Sequence, residues 1–245
     1  MSVSVPSGLT WKHDLKAKAR RLSAVAAAGF LTGAAIGGIG GRLAMLVLRL
    51  TSDSALRGLE TDDGFTIGIL SGATLFLVVL TAIAGTVGGL AYLAVRAWVP
   101  ERARPWLFGA LTGVVGGALV IRPDGIDFTL LEPLWLAVVM FVALPASYGV
   151  AVSLLAERFL ASDSAFTGPW AWIAGPIALL PLGIFGPAGL AVIALMVAAF
   201  FLNRSAPQIG SLWTSAPVAW IGRAGLAAVA VVAAASLLRD VTEIL

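Results

Sequence analysis

The sequence predicts an all-α, polytopic transmembrane helical bundle of about seven spans, packed through glycine stripes. Three observations lead there. First, 59% of the 245 residues are hydrophobic and only 12% are charged, whereas a soluble domain carries about 25% charged residues. Second, the apolar residues gather in seven long runs with almost every charge between them, and a hydrocarbon core needs about 20 apolar residues per helical span, with a lower limit near 17. Third, glycines recur every four residues inside several of those runs, which places them on one helix face.

Residues 1–22 read as a basic arm. Trp11, Lys12, Leu15, Lys16, Lys18, Arg20, Arg21 and Leu22 suit either a short amphipathic helix on the membrane surface, in contact with anionic lipid, or a positive flank that only fixes orientation. The apolar run that follows, Leu22 to Leu50, exceeds the 7–15-residue core of a secretory signal and is expected to be retained. Residues 23–158 form two hairpins. Span one covers 23–50, span two 65–98, span three 105–121 and span four 133–156. Residues 159–245 hold three short spans, at 169–185, 187–202 and 217–238. The first two are separated at Gly186-Pro187, because glycine follows helix ends and proline opens helices.

Lysine and arginine set the orientation. With the N-terminus in the cytoplasm, the inner flanks collect Lys12, Lys16, Lys18, Arg20, Arg21, Arg96, Arg102, Arg104, Arg158, Arg204 and Arg223, against Arg57, Arg122 and Arg239 outside. A single span over 170–202 would move Arg204 outside, so the charge rule favours seven spans over six. Trp11, Trp98, Trp106, Trp135, Trp170, Trp172, Trp213 and Trp220 all fall near span ends, the level an indole with one N–H prefers. The net charge of +3 belongs to these flanks, and no nucleic-acid partner is expected.

The glycines that promise helix packing are Gly29, Gly33, Gly37 and Gly41 in span one and Gly109, Gly113 and Gly117 in span three, with Gly85 and Gly89 in span two. Lipid tails are as apolar as leucine, so membrane helices associate by close approach, which small residues permit. The two outer loops resemble each other, Thr61-Asp62-Asp63-Gly64-Phe65 and Arg122-Pro123-Asp124-Gly125-Ile126-Asp127-Phe128. Each follows a glycine-striped run, which suggests a duplicated hairpin.

Few residues promise chemistry. Arg42 is the one charge well inside an apolar run and needs a partner or a route to water; Asp62, Asp63, Asp124 and Asp127 are its candidate partners, with Arg122 at the same level. Arg49 reads instead as a side chain extended to the interface. The outer acids also offer oxygens for a divalent cation, but their spacing fits no Ca²⁺ loop and Asp-Gly is ordinary turn chemistry. Neither a metal nor a cofactor is therefore expected. The chain has no cysteine, its one histidine is His13, and its lysines are confined to the arm. That removes disulfides, thiolate chemistry, histidine-bound haem and an intramembrane Schiff base. No nucleophile elbow, zinc-protease pair or phosphate loop occurs, and no acidic residue falls inside a proposed span. An enzyme is not expected.

The segments Gly41-Arg42-Leu43-Ala44-Met45, Asp62-Asp63-Gly64-Phe65, Pro123-Asp124-Gly125-Ile126-Asp127-Phe128 and Leu131-Glu132-Pro133-Leu134-Trp135 resemble a group of uncharacterised multi-pass membrane proteins of high-GC bacteria. The likeness spans roughly residues 40–150. It implies a bacterial inner membrane and no particular activity. The expected function is that of a non-catalytic membrane protein acting through helix association, as a complex subunit, scaffold or homo-oligomer. The alternative is a small-solute or ion permease with its site near Arg42 and the outer acids.

Overall fold

The computed structural model describes residues 7–52, 72–125, 128–129, 132–168, 171, 183, 186–187, 189–191, 194 and 211–245. Among them there is no strand. Helix α1 runs Ser7–Thr32, a wider π-helical stretch runs Gly33–Gly40, and α2 runs Gly41–Thr51. The three follow one another without a break. The basic arm from Ser7 onward is therefore continuous with the first span rather than a separate surface helix. Helix α3 spans Gly72–Val95, α4 Arg104–Val120, α5 Leu134–Leu160 and α6 Ala216–Ile244. Among the described residues five helices are long and apolar enough to cross a membrane: Lys16–Thr51, Leu75–Val95, Glu101–Val120, Leu134–Leu160 and Ala216–Ile244. The expected spans at 169–185 and 187–202 lie mostly outside the described residues.

Two apolar clusters mark the ends of an antiparallel bundle. One joins Val25 of α1, Tyr92 of α3, Phe108 of α4 and Val152 and Ala156 of α5. The other joins Leu48 of α2, Ile121 after α4, Phe128, and Ala137 and Val138 of α5, with Leu237 and Val241 of α6 packed on it. The start of α6 lies at the first end, where Trp213 stacks on Trp98 at a centroid distance of 4.7 Å. Trp98 Nε1 donates to the Trp213 carbonyl at 3.2 Å and Trp213 Nε1 to the Ala94 carbonyl at 3.0 Å. At the opposite end the hydroxyls of Thr51 and Ser52 both donate to the Glu132 carbonyl at 3.0 Å, tying α2 to the entry of α5.

Between the clusters the helices meet backbone to backbone. A Cβ added to Gly29 would fall on the carbonyl oxygen of Gly85, and one added to Gly85 would lie 2.7 Å from Gly33 Cα. No real side chain fits at such distances. The α4–α5 pair has the same construction: a Cβ on Gly149 would lie 2.9 Å from Gly109 Cα, and one on Gly113 2.8 Å from Ala146 Cβ. Gly116 leaves room for Pro145, the residue inside α5 whose ring cannot join the helical hydrogen-bond ladder.

The π-helical turn shifts the stripe. Its i→i+5 spacing takes more residues per turn than an α-helix, so the four-residue glycine period no longer stays on one face. Gly38 is buried against Val78, beside Gly37 on Thr81, and no described residue lies within 4 Å of a Cβ built on Gly41. The seam thus ends at Gly38 rather than extending to Gly41.

Candidate functional site

The densest polar constellation among the described residues sits at the tryptophan end. Tyr92 and Arg96 come from the close of α3, Arg104 from the start of α4 and Glu157 from the last turns of α5. Antiparallel packing brings these three helix ends to one level. Glu157 Oε1 accepts from the Tyr92 hydroxyl at 2.5 Å, from Arg96 Nε at 2.9 Å and from Arg104 Nη1 at 3.1 Å. Its Oε2 accepts from Arg96 Nη2 at 2.6 Å, which makes the Arg96 contact bidentate. Arg104 Nε donates to the Arg96 and Val99 carbonyls at 3.1 and 3.2 Å, closing the turn between α3 and α4. The Arg104 side chain is only 12% exposed and that of Glu157 33%, so water screens this network less than a surface pair.

Both carboxylate oxygens are occupied by donors. Glu157 is thus a lock between three helices, poorly suited to accept a proton from a substrate. The sequence analysis placed Glu157 just beyond span four. In the structure α5 continues to Leu160, so an acidic residue does lie within a membrane-length helix, neutralised by two arginines. Pairing the ends of spans two and four with the start of span three was the signal that would have found this cluster.

A second polar link crosses the bundle. Tyr148 of α5 donates its hydroxyl to the Gly85 carbonyl at 2.6 Å, so α5 touches the α1–α3 seam directly. The buried hydroxyls of Ser23, Thr32, Thr86 and Ser153 all return to carbonyls of their own helices at 2.7–3.1 Å.

Of the residues expected at the outer end, Arg42 is half-buried, with Nη1 4.0 Å from Met45 Sδ. Arg49 is half-buried too, and its Nε has no hydrogen-bond acceptor among the described residues. Arg122 and Asp124 are exposed. Asp124 lines a shallow hollow with Pro123, Asp240 and Glu243, so the acids it meets are on α6. Asp62, Asp63 and Asp127 lie outside the described residues, and with them the expected pairing of Arg42. Among the described residues no three acidic or histidine side chains are placed to hold a metal ion. A Cβ built on Gly29, Gly33, Gly37, Gly109, Gly113 or Gly117 would come within 3.0 Å of a neighbouring helix, and one on Gly117 also within 3.3 Å of Leu237 of α6.

Comparison with protein-family models, with curated proteins and with solved structures finds no match.

Proposed function

We propose that this chain is a non-catalytic integral protein of a bacterial cytoplasmic membrane that works through helix association, as a complex subunit, a scaffold or a homo-oligomer. Its seven spans place the N-terminus in the cytoplasm and the C-terminus outside, and its basic arm meets anionic lipid headgroups.

One contrast carries this reading. The interior of α1–α5 is closed by glycine contacts and self-satisfied hydroxyls, while α6 has no buried residue along its 29 positions. A rigid core beside a helix that packs on it yet buries none of its residues completely suits recruitment of another helix better than passage of a solute. The matching Gly29–Gly85 and Gly109–Gly149 contacts support a duplicated hairpin. Parity favours seven spans over six: α5 closes and α6 opens at the same end, where Trp98 stacks on Trp213, and a single span between them would not allow that.

The test is co-expression of two differently tagged full-length copies, purification on one tag in mild detergent, and mass spectrometry of everything retained. A stoichiometric second copy, or one stoichiometric membrane partner, supports the reading. Recovery of a lone chain overturns it.

A second reading, a small-solute or ion permease, draws on the π-helical stretch that leads into Arg42, since such turns recur at functional sites. Solute or ion flux in proteoliposomes that stops with Arg42→Gln would favour it.

A further inference from the structure

Near the tryptophan end α3, α4 and α6 do not close on one another. They leave a hollow of about 440 Å³, walled by apolar side chains that include Val95, Leu107, Leu111, Leu226 and Ala230, with Arg223 the one charged lining residue among the described residues. That volume falls within the usual range of ligand sites.

Arg223 is held in a fixed attitude. Its Nε donates to the Trp98 carbonyl at 2.6 Å, and its guanidinium lies 5.6 Å from the centre of the Trp220 ring. The four protons on Nη1 and Nη2 have no acceptor among the described residues. Among the described residues no carboxylate lines the hollow, and Glu101, just beyond Pro100 in its wall, is already paired with Arg104 at 3.5 Å. Trp98, Trp213 and Trp220 gather at this level, the position of headgroups in a bilayer. A preset planar cation at headgroup height above an apolar hollow has the shape and charge of one amphiphile. A guanidinium fork matches phosphate oxygens, and basic pockets between membrane helices on the cytoplasmic side hold acidic lipid headgroups.

We infer that the α3–α4–α6 hollow binds one anionic phospholipid, its acyl chain against the apolar wall and its phosphate on Arg223. This rests on the chain lying in a bilayer and not on its acting by association, so the outcomes of the two tests are independent.

The experiment is native mass spectrometry of the full-length chain released from nanodiscs containing phosphatidylglycerol and phosphatidylcholine with identical acyl chains. One phosphatidylglycerol is expected to remain bound, favoured over phosphatidylcholine by about fivefold or more. Arg223→Gln should abolish the preference and Arg223→Lys should keep most of it. Ala227→Phe, which fills the hollow from an exposed position, should lower retention of both lipids, and it decides the matter if Arg223→Gln does not fold. Equal retention of the two lipids, a preference unchanged in Arg223→Gln, retention unchanged in Ala227→Phe, or displacement by equimolar oleate would each overturn the site.

Discussion

The carbonyl oxygen of Gly29 occupies the place that a Cβ on Gly85 would take. This contact fixes how closely α1 and α3 approach, and it is made by backbone atoms that cannot rotate away. Helix pairs in lipid gain little from burying apolar surface, because the alternative solvent is equally apolar. Dispersion and weak backbone contacts across such seams carry the stability instead.

Gly29→Ala and Gly85→Ala should therefore each destabilise the detergent-solubilised protein by about 2 kcal/mol or more, as overpacked cores do. Gly41→Ala, whose Cβ would have no described residue within 4 Å, should change stability by less than about 0.5 kcal/mol. Thermal unfolding followed by circular dichroism separates the two outcomes. Equal effects at Gly41 and Gly29 would contradict the seam.

Glu157→Gln leaves two arginines without their shared carboxylate. A loss of about 2 kcal/mol is expected, after discounting for the third of the side chain that remains in water. Tyr92→Phe removes one hydrogen bond and should cost about 1 kcal/mol. Denaturant titration of the folded protein measures both, and Tyr92→Phe exceeding Glu157→Gln would reverse the assigned hierarchy.

Tyr148→Phe loses the bond to the Gly85 carbonyl. Hydrogen bonds between membrane helices average about 0.6 kcal/mol in double-mutant cycles, and a similar decrement is expected. A cycle with Gly88→Ala should show coupling, since a Cβ there would run into the Tyr148 ring, within 3.0 Å of its Cζ.

Arg158 holds Asp163 at 3.0 Å on the exposed surface after α5, and its hydrogen bond lowers the Asp163 pKa below the ordinary aspartate value. A lowered pKa means that the contact is present above the usual carboxylate range and is lost as pH falls through the lowered value. Both side chains are well exposed, so Asp163→Asn should leave thermal stability unchanged at physiological salt. A clear drop in melting temperature would show that the pair matters more than its exposure allows.

Ser162→Cys lies at the end where α3 and α5 close and α4 and α6 begin, the cytoplasmic end in the proposed topology. In intact cells it should resist an impermeant thiol reagent, while Ser54→Cys should be labelled. The native chain has no cysteine to compete. The opposite pattern would invert the orientation.

The sequence carried the helical class and the positions of five membrane-length helices, because apolar run length reports directly on local structure. It did not carry the π-helical turn at Gly33–Gly40, where Gly37 and Gly38 lie against Thr81 and Val78. Nor did it carry the Tyr92–Arg96–Arg104–Glu157 network. Each of those residues alone reads as an ordinary flank, and their meeting depends on the depth at which two hairpins dock. Arg223 likewise looked like one more orientation charge until Trp98 and Trp220 fixed its guanidinium beside an apolar hollow.

The most direct test of the association account is the protein mass of the full-length chain in mild detergent or nanodiscs, measured by light scattering with the detergent or lipid share subtracted. The account predicts at least two 25.1 kDa chains, or one chain plus a defined partner. A particle holding a single 25.1 kDa chain that also catalyses flux in proteoliposomes would contradict it.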